Sequence, residues 1–147
     1  MRKTILIVVM MGMMSAGGRG QNVPYQYLPY LKALGELRTA RAWLDGWQVD
    51  QTRREDVRAI AEIDAALELV KHASIDDGKA LSNHPPVDLG MSPKDRLKQA
   101  NSWIWKAHLD LEHAADVEQE RGLRERVLRR VDQAHYIVDS MWRVMPN

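Results

Sequence analysis

The chain has 147 residues, with 21 Lys and Arg against 20 Asp and Glu, and it has no cysteine. The absence of cysteine excludes disulfide bonds, thiolate chemistry and covalent attachment of c-type haem. Proteins that bind nucleic acids usually carry a basic surface. The charge of this chain is nearly balanced, so no nucleic-acid partner is expected. A chain of this length suits one domain with a single core.

Residues 1–20 have the pattern of a secretory signal peptide. Arg2 and Lys3 precede a short apolar run at 4–14, and small residues follow that run. The run is shorter than the roughly 20 residues that cross a bilayer as a helix. We expect export to the periplasm or secretion, with a mature domain at 21–147 and no transmembrane segment. Removal of 1–20 takes away three of the 21 basic residues and leaves 18 against 20 acidic residues.

Four segments have the apolar spacing of amphipathic helices, and almost none of the chain alternates as a strand does. Proline in the first turn, a Thr-x-x-Glu capping box and a Ser-Pro start mark the beginnings of the first three. The apolar stripe slips by about two residues between the third and fourth segments, which predicts a turn near 117–122. The predicted segments are 29–46, 52–70 with extension to residue 81 left open, 92–114 and 127–141.

The two halves of the chain resemble each other. A shift of 67 residues aligns the apolar positions of 33–44 with those of 100–111, and a shift of 68 aligns 63–70 with 131–138. Duplication of a helical hairpin explains both agreements, and chance similarity of amphipathic helices is the alternative. Either origin predicts an all-α, antiparallel, up-down-up-down four-helix bundle.

Several motifs add a resemblance to a known group of proteins. Segments 37–42 and 62–66, then Ser-Ile-Asp-Asp-Gly-Lys at 74–79 with His-Pro-Pro-Val-Asp at 84–88, resemble those of small exported bacterial helical proteins of uncharacterised function. The resemblance covers most of the mature chain. It implies a bundle fold and an envelope location, and it implies no activity.

Histidines and carboxylates at helical spacing are the candidate cofactor ligands. Asp110-x-x-His113 and Asp132-x-x-His135 have the i, i+3 spacing of di-metal bundles. Helical geometry, however, turns His113 away from the apolar stripe, and inward carboxylates are missing. We therefore predict no metal and no cofactor. The alternative is a non-covalent haem bound through His108 or His135, which flank their stripes.

The sequence offers little support for catalysis. There is no Gly-x-Ser-x-Gly elbow and no phosphate-binding glycine loop. Asp76-Asp77-Gly78 lacks the alternating ligands and terminal glutamate of a calcium loop. An enzyme is therefore the least favoured class of function.

Polar side chains at equivalent positions of the two halves predict contacts between neighbouring helices. Under the duplication, Arg41 corresponds to His108 and Asp64 to Asp132. We expect the pairs Arg41 with Asp64 and His108 with Asp132 to set the register of the helices.

Tryptophans predict a surface for interaction. Trp43 and Trp105 fall off their apolar stripes, and exposed indoles suit a protein interface or a face that stacks on sugars. These two residues are the predicted interaction surface, and a homodimer through them is one expectation.

The long break at 74–90 predicts a second site. In an up-down-up-down bundle this break lies at the same end as the start of the first helix and the end of the fourth. A polar pocket for a ligand or a partner is predicted there, and the alternative is that Asp77 and His84 only lock the loop. The predicted pocket residues are Asp76, Asp77, Lys79, His84, Asp88, Tyr27, Tyr30 and Trp142.

These observations favour a non-catalytic, exported binding or protein-interaction module, with another envelope protein as the expected partner. A small haem- or metal-binding carrier is the alternative.

Overall fold

The computed structural model describes residues 24–46 and 53–147. Within these ranges the chain is helical and forms no β-strand, so the all-α prediction is confirmed. The predicted signal peptide lies outside the described residues. A short 3₁₀ turn occupies Tyr25–Tyr27, and the α-helices are α1 Leu28–Leu44, α2 Arg53–His72, α3 Pro93–Glu112 and α4 Leu123–Val144.

Local sequence explains where α3 and α4 begin. The side chain of Ser92 accepts a hydrogen bond of 3.2 Å from the backbone N–H of Asp95, and Pro93 fills the first turn of α3. Gly122 precedes α4 with a φ of 77°, a left-handed conformation that glycine adopts without the strain of a Cβ. Its N–H donates to Asp116 at 3.0 Å. The turn predicted near 117–122 is therefore confirmed.

Helix α2 ends at His72 and does not extend to residue 81. The N–H of Ile75 returns to the carbonyl of Val70 at 3.3 Å, and Ser74 adopts a φ of 65°. This arrangement satisfies a terminal carbonyl of the helix, and it places Ile75 in the core at 3% exposure. Residues 73–92 then form a long connection, which we call the crossing segment.

The helices pack as an antiparallel bundle in which α1 contacts α3, α3 contacts α4, α4 contacts α2 and α2 contacts α1. Two hydrogen bonds fix the direction of α3 relative to α1. Tyr30 near the start of α1 donates to the carbonyl of Ala115 after α3 at 2.8 Å. Arg96 at the start of α3 donates to the carbonyl of Trp43 at the end of α1 at 3.0 Å. The prediction of a four-helix bundle is confirmed.

The chain order through the bundle differs from the expected up-down-up-down order, in which α1 and α3 would run in the same direction. The crossing segment is responsible, because it runs along α1 and does not turn back at one end. Arg38, in the middle of α1, binds both Asp77 and the carbonyl of Asn83 within this segment. Helix α3 then starts beside the end of α1. The directions are up, down, down, up, and neighbouring helices are antiparallel.

The core is one continuous cluster of apolar side chains from all four helices, together with Ile75 of the crossing segment and Val117 between α3 and α4. We call the fully buried apolar stripe of each helix its seam. Burial of this kind supplies most of the favourable free energy of folding. Representative seam residues, each 0% exposed, are Leu37, Ala40, Ile63, Val70, Ile104, Leu111, Val131 and Val138.

The packing suits a duplicated hairpin. Helix α1 packs against its sequence counterpart α3, and α2 packs against its counterpart α4. Both pairs are antiparallel, which is the arrangement that a twofold relation between two similar hairpins produces. The duplication itself stays a prediction.

A pair of carboxyl groups joins α1 to α3. Burial, followed by a hydrogen bond shared with Asp110, raises the pKa of Glu36 to about 8. Lys32 and Lys106 oppose this rise, and Lys32 lies 3.5 Å from Asp110. Two carboxyl groups can share a hydrogen bond only when one of them carries a proton, so the pair retains one proton near neutral pH, and the pKa that is raised is that of Glu36.

Stability is expected to fall as the pH rises from about 5 to about 9. The unfolded state releases the Glu36 proton near pH 4.5 and the folded state near pH 8, so the folded state binds more protons between these values. We expect a loss of about 1–2 kcal/mol, allowing for screening of a partly exposed group.

Urea unfolding at both pH values measures this loss. Glu36→Gln should reduce it, because a neutral amide keeps the hydrogen bond and cannot ionise, whereas Glu68→Gln at an exposed position should not. An equal loss in wild type and Glu36→Gln would contradict the shared proton.

Candidate functional site

The residues predicted to form one pocket lie in separate parts of the bundle. Tyr30 is fully buried near the start of α1, and Tyr27 packs edge-on against it with ring centroids 6.4 Å apart. Trp142 lies beside Lys94 at the opposite end, with the ammonium 5.0 Å from the ring centroid. Asp77 lies between these ends, in the crossing segment. The changed helix order explains the separation, because it moves the end of α4 to the other pole.

Three further predicted residues are placed within the crossing segment itself. Asp76 and Asp88 each accept a hydrogen bond from the backbone N–H two residues later, at 3.0 and 2.9 Å. Such contacts stabilise tight turns. The side chain of Lys79 is exposed. These residues shape the turns of the segment and do not converge on a common cavity.

Asp77 is held by a buried arginine. Two guanidinium nitrogens of Arg38 donate to its two carboxylate oxygens at 3.2 and 2.7 Å, and Arg38 is only 3% exposed. Partial burial on its own would raise the pKa of Asp77, but hydrogen bonds from Arg38 and from the N–H of Lys79 outweigh it and hold this pKa below its usual value. The geometry favours the structural lock over the pocket.

His84 lies on the wall of a groove of about 640 Å³ between α1 and the crossing segment. Its Nδ1 lies 2.8 Å from the carbonyl oxygen of Pro85. Arg38 and Arg41 also line this groove, but both guanidinium groups already form ion pairs with carboxylates. Little positive charge is therefore left for a ligand.

Both predicted polar pairs are present. Arg41 donates to Asp64 at 2.7 and 3.3 Å and joins α1 to α2. His108 Nδ1 lies 2.7 Å from Asp132 and joins α3 to α4. The second ring nitrogen of His108 lies 3.1 Å from Glu112. Both nitrogens thus face carboxylates, and His108 does not fit the role of a haem ligand.

The two tryptophans of the predicted interaction surface have different environments. Trp43 is 7% exposed, which corrects its prediction as a surface residue. The start of α3 covers it, and Arg96 caps the carbonyls of Trp43 and Asp45 at 3.0 Å each. Trp105 is 44% exposed, as a surface role requires.

An open groove of about 440 Å³ lies on the outer face of α3 and α4, next to Trp105. Its volume falls within the range of small-molecule sites. We call it the Trp105 groove. Its lining residues are Lys98, Asn101, Ser102, Trp105, His135 and Trp142.

The indole of Trp105 packs against two histidine rings. It stacks on His108 with ring centroids 4.6 Å apart and planes 8° apart, and it lies 5.4 Å from the ring of His135. His108 is itself held by Asp132 and Glu112. The side chain of Trp105 is therefore ordered before any ligand binds, which lowers the entropic cost of binding.

Polar groups face the groove beside the indoles. His135 Nδ1 lies 2.6 Å from Asn101 Oδ1. Because an amide oxygen only accepts, Nδ1 carries the hydrogen and donates it. This leaves Nε2 of His135 as an acceptor and the amide NH₂ of Asn101 as a donor, with Ser102 and Lys98 adding a hydroxyl and a positive charge. None of the six lining residues is acidic.

Sequence reasoning identified Trp105, Trp142 and His135 but missed Lys98, Asn101 and Ser102. Their spacing along α3 could have indicated that they share a face with Trp105. They lie seven, four and three residues before Trp105, on the same face of α3. A polar stripe that ends at an exposed tryptophan marks a helix face that the core does not use.

The described parts of the chain offer neither a cluster of metal ligands nor a membrane-spanning helix. They contain no group of three or more His, Cys, Asp or Glu that could hold a metal ion. No helix in 24–46 or 53–147 has the length and apolar character needed to cross a bilayer.

Fold and site together define a four-helix bundle with an aromatic groove on one outer face. No protein-family model, curated protein or solved structure matches the chain. The resemblance to small exported bacterial helical proteins stays a prediction.

Proposed function

We propose that the protein is a non-catalytic, exported binding module of the bacterial envelope and that the Trp105 groove is its binding surface. The observation that carries the proposal is an exposed indole held by an ordered support. Trp105 is 44% exposed and Trp142 on the other side of the groove is 37% exposed. Tryptophans of this kind are enriched among the residues that dominate binding energy.

The hydrogen bonding of the groove supports a binding role over a catalytic one. Ser102 and His135 both line it, but among the described residues His135 bonds to Asn101 and no hydrogen bond joins its ring to the Ser102 hydroxyl. A serine nucleophile requires a general base, most often a histidine, in hydrogen-bond contact with its hydroxyl. Lys98 is exposed and lacks the desolvation that activates a lysine nucleophile.

The haem carrier remains the alternative, with His135 as the ligand in place of His108. His135 Nε2 is the imidazole nitrogen in the groove that its contact with Asn101 leaves available. The groove around this histidine is open, however, and it would not enclose the two faces of a haem.

Native mass spectrometry of the protein isolated from its own organism tests the proposal. We expect a bound mass, either a ligand or a partner, that Trp105→Ala and Trp142→Ala lose. Tyr136→Ala is the matched control, because Tyr136 is an exposed aromatic on α4, at 68% exposure, outside the groove lining.

Two results would overturn the proposal. A bound mass that Trp105→Ala retains would place binding elsewhere. A bound mass equal to that of haem, lost only in His135→Ala, would support the haem-carrier alternative.

A further inference from the structure

We propose that the ligand of the Trp105 groove is an acidic saccharide, that is, a chain of sugar rings that carry carboxylates. This inference rests on the proposed function and adds the chemical class of the ligand. It rests on three features that line the same groove: indole faces, hydrogen-bonding groups that are available to a ligand, and a positive charge.

The arrangement of the tryptophans suits an extended ligand with apolar ring faces. Trp105 and Trp142 lie on different helices and line the same open groove of about 440 Å³. The face of Trp105 that stacks on His108 is covered, so a ligand would use the opposite face or the edge of the indole. The C–H face of a sugar ring is apolar and can cover an indole, which buries apolar area on both partners.

Hydrogen bonding separates a saccharide from a planar aromatic ligand. Nε2 of His135, the amide NH₂ of Asn101 and the hydroxyl of Ser102 together offer both donors and acceptors. A ligand that displaces water from these groups loses affinity unless it replaces their hydrogen bonds. A ring bearing several hydroxyls can do so, whereas an aromatic hydrocarbon face cannot.

Charge favours an acidic saccharide over a neutral one. Lys98 lines the groove, and Lys94 lies 5.0 Å from the ring centroid of Trp142 at its end. Asp132 and Glu112 contact His108 on the covered side of the Trp105 indole and do not line the groove. The lining therefore carries a positive charge that a sugar carboxylate would complement.

Isothermal titration with a short oligomer of galacturonic acid tests the inference. The methyl ester of the same oligomer is the matched ligand, since it keeps the rings and hydroxyls and removes the charge. We expect the acid to bind with a Kd below about 1 mM and the ester to bind about fivefold more weakly.

Variants assign the contacts. Trp105→Ala should weaken binding of the acid about tenfold, and Tyr136→Ala should leave it unchanged. Lys98→Gln should remove most of the preference for the acid over the ester. Circular dichroism of each variant checks that it is folded.

The outcomes separate the two proposals. Equal binding of acid and ester, or binding of the acid that Trp105→Ala does not weaken, would overturn the saccharide inference. If an aromatic carboxylate such as indole-3-acetate binds at the groove and the oligomer does not, the saccharide inference is wrong. The proposal that the groove is a binding surface is then supported. If the groove binds no probe and the isolated protein carries no bound mass, both fail.

Discussion

Replacing Asp77 with alanine is expected to lower the free energy of unfolding by about 3 kcal/mol. The change removes the carboxylate that pairs with Arg38, whose side chain is only 3% exposed. A buried guanidinium without its counter-ion is costly, because it has lost its water and, among the described residues, keeps the carbonyl of Asn83 at 3.2 Å as its remaining partner. The crossing segment would also lose its anchor on α1.

Asp76→Ala is the matched control for Asp77→Ala. Each aspartate accepts one backbone hydrogen bond of 3.0 Å from the residue two positions later, but only Asp77 binds Arg38. Urea unfolding at neutral pH should show a difference of about 2 kcal/mol or more between the two variants. A difference below about half a kcal/mol would show that the ion pair does not hold the segment.

The effect should also depend on pH with a definite sign. The pKa of Asp77 is lowered in the folded state from its usual 3.8. The stability that the pair contributes is therefore present above pH 3.8 and is lost as the pH falls through the lower, folded-state pKa. The difference between wild type and Asp77→Ala should accordingly shrink in strong acid.

Replacing Leu111 with alanine is expected to destabilise the protein by about 2–5 kcal/mol, the usual cost of emptying a packed site. Leu111 is 0% exposed and lies on the seam between α3 and the rest of the core. Thermal or urea unfolding measures the loss. Ile104→Ala should act similarly, since Ile104 is equally buried.

Leu109→Ala is the control for Leu111→Ala. The two leucines are two residues apart on α3, yet Leu109 is 42% exposed. Its truncation should change stability by less than about half a kcal/mol. Similar losses at both positions would mean that the outer face of α3 is buried and would contradict the assignment of the seam.

Helical periodicity was sufficient to predict much of the fold. The seam through Ile104 and Leu111 and the turn at Gly122 follow from which side of each helix is apolar, and the pair of Arg41 with Asp64 follows from the similarity of the two halves. These features depend on neighbours three and four residues apart, and such spacing is visible in one sequence.

The order of the helices was not predictable from the same pattern. An apolar stripe has no direction, so α3 can pack against α1 in either orientation without changing its seam. The crossing segment has 20 residues, from 73 to 92. Such a segment can reach well over 30 Å when extended, which is enough to pass the length of α3. The buried pair of Arg38 and Asp77 holds it along α1.

The candidate site illustrates the same limit. Trp43 and Trp105 both lie off their stripes, but the start of α3 covers Trp43, whereas Trp105 is 44% exposed. Exposure thus depended on tertiary packing. The polar residues of the Trp105 groove were missed because exposed Lys, Asn and Ser are ordinary on a helix until an aromatic neighbour gives them a shared cavity.

The most direct test of the binding role is the indole N–H region of a ¹H–¹⁵N NMR spectrum. The chain has five tryptophans and therefore five such signals, which Trp105→Phe and Trp142→Phe allow to be assigned. A panel of small saccharide and aromatic probes is added to the protein. The groove predicts that bound probes shift the signals of Trp105 and Trp142 together and leave buried Trp43 unchanged. Probes that shift other indoles while these two stay fixed would contradict it.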